Sequence, residues 1–142
     1  MRAGVLVSLV TFSLLCLPAC GGHKVAAPEG VFFPTLTESQ DSWPAAATSG
    51  TLVEKDGCVL LMPGDFLLIW PHEASAERTG AGALRITVDG KLVGQTGDQV
   101  QLGGGLLGES KDAVSQAEGM IGGSIPERCR AGGGYWLTAP PS

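Results

Sequence analysis

Turn signals cut most of the chain from Gly50 onward into short segments that read as strands. Lys55-Asp56-Gly57 separates residues 51–54 from Cys58–Met62, and Asp89-Gly90 separates Leu84–Val88 from residues 91–93. Asp-Gly between such runs is a strong short-range hairpin signal, because the favoured two-residue turn needs positive φ at both positions. Pro63-Gly64-Asp65 turns into residues 66–70, a continuous apolar run that suits a buried strand. Leu84, Ile86 and Val88 alternate with Arg85 and Thr87, which puts one face in a core and one in water. Residues 99–102 and Tyr135–Thr138 add further strands, and residues 71–83 read as a polar loop. One helix is expected at about 110–120. Ser110 can cap it, and Leu107, Val114, Ala117 and Ile121 form its apolar stripe. The expected fold is mainly β: a small OB-like or SH3-like barrel of six to seven short strands with one short helix before the last strand.

The start of the chain reads differently. Arg2 precedes an apolar run from Ala3 to Leu17, too short for a comfortable membrane span of about 20 residues. A basic start, an apolar stretch and then small residues make a secretory signal. The run ends in Leu17-Pro18-Ala19-Cys20, which resembles the lipobox of bacterial lipoproteins. That resemblance implies cleavage before Cys20, whose thiol then carries diacylglycerol beside other acyl chains, palmitate among them. Several chains on one cysteine anchor stably, where a single myristoyl group is marginal. The other reading is an ordinary signal peptide with Cys20 left as a thiol. Cys16 would leave with the leader in either case. The expected division is a signal peptide at 1–19, a lipidated cysteine and flexible tether at 20–49, and a small β-barrel domain at 50–139.

The tether reading rests on Pro28, Pro34, Pro44 and the Ala45-Ala46-Ala47 run, across which no helical or strand period survives. A coil of about 28 residues has a mean reach of roughly 30 Å. Val31, Phe32, Phe33 and Trp43 are its exceptions. They either pack back on the domain, the favoured reading, or form an exposed contact.

Beyond the leader and Cys20, the remaining cysteines are Cys58 and Cys129. An even pair in an exported protein reads as a disulfide. The rival is a redox or metal site, but a structural zinc needs four ligands. His23 and His72 supply no CxxC or HxxxH spacing to complete one. No metal and no cofactor are expected. The net charge of −5, from 9 Lys+Arg against 14 Asp+Glu, leaves no basic stripe for nucleic acid.

Two glycine patterns look like chemistry. Gly103-Gly104-Gly105-Leu106-Leu107-Gly108 matches GxGxxG and nearly matches a phosphate loop. Glu109 stands where the phosphate-gripping lysine belongs, and a carboxylate there repels phosphate. The segment is therefore expected to be a glycine-rich turn, as is Gly132-Gly133-Gly134. The candidate binding residues are Trp70, His72 and Glu73, which leave a buried strand for a loop, and Arg128 and Arg130, which flank Cys129. An imidazole beside a carboxylate can do acid-base work, and Glu73 can partner His72, yet no nucleophile lies beside them in sequence. A solvated loop and a solvated rim are the plainer readings.

Gly50-Thr51-Leu52, Gly57-Cys58, Trp70-Pro71, Gly97-Asp98-Gln99-Val100, Gly103-Gly104-Gly105, Cys129 and Tyr135-Trp136 together resemble a small exported β domain that recurs in bacterial lipoproteins. These are turn, disulfide and core residues, so the resemblance implies a fold and a location, and no catalysis. Residues 106–125 look like an insertion relative to it. The expected function is a membrane-anchored, non-enzymatic binding or structural module of the cell envelope. It would be held to the cell membrane or outer membrane through Cys20, with an envelope protein or glycan as partner. The alternatives are a redox or metal-handling lipoprotein using Cys58 and Cys129, or a small hydrolase using His72.

Overall fold

The computed structural model describes residues 26–108, 110–130 and 132–142. The leader and Cys20 lie outside them. The elements run β1 (Ala46–Lys55), β2 (Cys58–Met62), β3 (Phe66–Ile69), β4 (Ala74–Arg78), β5 (Leu84–Val88), β6 (Lys91–Gln95), β7 (Gln99–Gly108), α1 (Lys111–Ile121), a 3-10 turn (Glu127–Cys129) and β8 (Tyr135–Thr138). Five strands close a barrel in the order β1-β2-β3-β8-β7, and β4-β5-β6 form a separate three-stranded sheet. The β3–β8 pair is parallel and the other barrel pairs are antiparallel. This Greek-key closure is the OB-like arrangement of the two expected.

Local chemistry explains the hairpins. Asp56 and Gly57 have φ of 52° and 74°, and Asp89 and Gly90 have 50° and 76°. Two consecutive left-handed residues make the turn whose twist matches that of the flanking strands. The Ser110 hydroxyl accepts the Ala113 amide at 3.2 Å and caps α1, while left-handed Gly122 ends it.

Three elements differ from expectation. The loop at 71–83 contains β4, whose buried positions are Ala74 and Ala76. Alanines alternating with Ser75 and Glu77 carry too little hydrophobicity to show as a strand. The glycine-rich segment at 103–108 is not a turn. It is the second half of β7, paired with β1 and β8. Its glycines serve close backbone packing, for a Cβ on Gly104 would overlap the Leu137 carbonyl. Residues 26–45, placed in the tether, instead lie along the barrel. Phe32 N donates to Gly57 O (2.7 Å), Leu36 N to Trp70 O (2.9 Å) and Trp70 N to Pro34 O (2.9 Å). At the end of this segment β1 begins at Ala46, and residues 46–49 pair with β7.

Two apolar clusters share one wall. Inside the barrel lie Leu52, Val59, Leu61, Leu68, Leu102 and Trp136, continuous with Ala74, Leu84, Ile86 and Val88 of the second sheet and with Phe33. On the outer side Leu60, Leu67, Ile69, Tyr135 and Leu137 pack under Ala113 and Ala117 of α1, Ile125 and Leu36. Strands β2, β3 and β8 are thus buried on both faces. The Cys58–Cys129 disulfide crosses this outer layer, with Cα atoms 5.4 Å apart and a sequence separation of 71. A loop of that size contributes about 4 kcal/mol in the chain-entropy model.

Leu36 is 2% exposed, so the segment before β1 belongs to the fold. Leu36→Ala is expected to cost about 2–5 kcal/mol, read as a lowered urea midpoint. An unchanged midpoint would mean that the segment lies outside the cooperative unit.

Candidate functional site

In OB-like barrels the outer face of the second and third strands, with the adjoining loops, is a common ligand platform. Here that face is covered. Leu60, Leu67 and Ile69 point into the cluster beneath α1 and Leu36. What remains open is a cleft of about 410 Å³ at the edge of this cover, with Ala26, Thr35, Thr37, His72, Glu73 and Ile121 among its walls.

The cleft forms where β3 ends. Trp70 is the last residue drawn into the interior, Pro71 is buried behind it, and the chain turns through His72 and Glu73 into β4. The Ala74 amide closes that turn on Pro71 O at 3.0 Å. His72 is exposed, and its Nδ1 lies 3.0 Å from Leu36 O. A carbonyl can only accept, so Nδ1 is the donor. The half-buried Glu73 carboxylate accepts from the Ser39 hydroxyl. Both side chains are thereby oriented by the segment before β1, which supplies the opposite wall. Thr37 adds a hydroxyl that donates to Met120 O at 3.4 Å. Among the described residues no hydroxyl or thiol hydrogen-bonds His72, and no three metal-ligating side chains gather. The arrangement can bind and orient polar groups at a surface.

The other singled-out residues are placed elsewhere. Trp70 is fully buried, its ring stacked on Phe33 with centroids 5.3 Å apart, and it offers no surface for binding. The apolar run that made it conspicuous is the run that draws it inside. Arg128 and Arg130 are exposed but do not converge. Arg128 Nε donates to Asp56 O at 3.0 Å, while Arg130 lies 4.0 Å from the Glu118 carboxylate. Next to them, burial pushes the Tyr135 phenol above its ordinary pKa, Arg130 pulls it down and Glu118 raises it. Across the molecule Arg78 grips Glu54 through both terminal nitrogens, joining β4 to β1, and that carboxylate raises the Arg78 pKa further. Sequence reasoning missed Thr35, Thr37, Ser39 and Ile121, because no period marks the segment that carries the first three.

The Trp70 Nε1 and Thr138 Oγ1 atoms are buried and find no hydrogen-bond partner among the described residues. Their residues follow Ile69 and Leu137, the last register pair of β3 and β8.

Compared with known protein families, curated proteins and solved structures, the chain matches none. Among the described residues no helix is long and apolar enough to cross a membrane.

An orphaned buried hydroxyl costs about 1–3 kcal/mol, whereas its apolar replacement carries no such penalty. Thr138→Val is therefore expected to raise stability by about 1 kcal/mol in thermal or urea unfolding. A loss of that size would show that the hydroxyl has a partner.

Proposed function

We propose that the protein is an exported lipoprotein, anchored through Cys20, whose disulfide-stapled barrel is a non-enzymatic binding or structural module of the cell envelope. The observation that carries this reading is Leu17-Pro18-Ala19-Cys20 at the end of a short apolar run. The disulfide supports it, since such bonds persist in oxidising, extracytoplasmic compartments.

A redox or metal-handling role for Cys58 and Cys129 finds less support. Both are 1% exposed, within the layer under α1. A catalytic or metal-loading thiol pair needs access, whereas a staple does not.

Intact mass of the protein taken from the membrane fraction tests this, with and without reductant and thiol alkylation. The expected species lacks residues 1–19, carries acyl mass on Cys20, and gains two alkylated thiols after reduction only. A free, alkylatable Cys20 would overturn the anchor. Alkylation of Cys58 and Cys129 without reduction would overturn the staple and favour the redox reading.

A further inference from the structure

We propose that the face bearing β4 and the His72–Glu73 cleft rests on the headgroup layer of the bilayer that holds the Cys20 lipid. The proposal rests on the lipid-anchor reading and adds an orientation to it. Its basis is how early the chain is committed to the barrel. Ala26 O accepts the Ala76 amide at 2.7 Å, and Ala26 and Ala27 pack against the inner apolar cluster. Six peptide units join Cys20 to Ala26, and even fully extended they span only about 20 Å. A folded unit of this size has a radius of gyration of about 13 Å, hence a diameter beyond 30 Å. The leash is shorter than the body it holds, so the barrel cannot turn its far wall to the lipid.

The topology defines which wall is near. β4 and β6 are opposite edges of the three-stranded sheet, and the leash joins at β4. At the β6 edge, Leu92 borders a separate cleft with Gln101 of β7 and Ala47 at the start of β1. The near face is polar at its mouth, with the Thr35 and Thr37 hydroxyls, the His72 ring and the Glu73 carboxylate. Such groups suit the headgroup layer and not the acyl core. The occupant of the cleft mouth is thus a lipid surface.

The test uses the full lipidated protein in vesicles of phosphatidylethanolamine and phosphatidylglycerol. With Cys20 acylated and Cys58 bonded to Cys129, a single introduced thiol is labelled with a fluorophore, either Glu77→Cys on β4 or Gln101→Cys on β7. Both positions are exposed. Nitroxide-bearing headgroups are expected to quench the Glu77 label several-fold more than the Gln101 label. A Gly-Ser insert of about ten residues after Gly22, which adds roughly 35 Å of reach, is expected to erase the difference. Equal quenching at both positions, with the lipid on Cys20 verified by mass, overturns the orientation and leaves the anchor standing. A Glu77 label that is shielded while a protein or glycan crosslinks to the cleft overturns the lipid surface as its occupant. Absence of acyl mass on Cys20 overturns the anchor reading, and the orientation with it.

Discussion

The structure depends on one constraint: the wall formed by β2, β3 and β8 is apolar on both sides. Val59, Leu61, Leu68 and Trp136 face the barrel interior, while Leu60, Leu67, Ile69, Tyr135 and Leu137 face outward. Each such side chain left in water forgoes about 1.5–3 kcal/mol. Closing the barrel satisfies only the inner set. The outer set requires a second layer, and α1, Ile125 and Leu36 supply it. The helix and the segment before β1 are therefore parts of the core, although both look peripheral in the chain.

The disulfide and the cleft follow from that layer. Cys129 ends the stretch that returns from α1 toward β8, and its bond to Cys58 fixes the cover to the strand beneath it. The cleft forms at the margin, where Thr35 and Thr37 meet the turn through His72 and Glu73. Filling the outer face of β2 and β3 removes the platform on which OB-like barrels commonly carry ligands. The open cleft is thus displaced to the rim of the covered face.

Much of the barrel was legible because its signals are local. The two Asp-Gly hairpins, the serine-capped helix and the closing strand each depend on a few adjacent residues. The continuous run at 66–70 announced a buried strand, and an even pair of cysteines announced the staple. The missed parts depend on contacts distant in sequence. β4 hides because its inward residues are alanines, which suffice only where Ile86 and Val88 of β5 lie beside them. The glycines of β7 read as a turn in isolation, and their purpose appears only where Leu137 and Pro44 approach. Residues 26–45 have no period because they bond individual backbone groups rather than a ladder. For the same reason one wall of the cleft, His72 and Glu73, was visible and the facing wall was not. Trp70 misled, since a tryptophan before a loop is as conspicuous when it anchors a core as when it awaits a ligand.

The most direct test of the two-sided wall is native-state amide hydrogen exchange at increasing denaturant. At Leu67, Leu68, Ile69, Tyr135, Trp136 and Leu137, and at Ala117 of the helix that covers them, exchange is predicted to require global unfolding, with the full denaturant dependence of the equilibrium transition. Exchange of α1 and β8 through local opening, independent of denaturant and far faster than the barrel interior, would contradict the account. It would mean that the outer layer is an attachment to a barrel that stands without it.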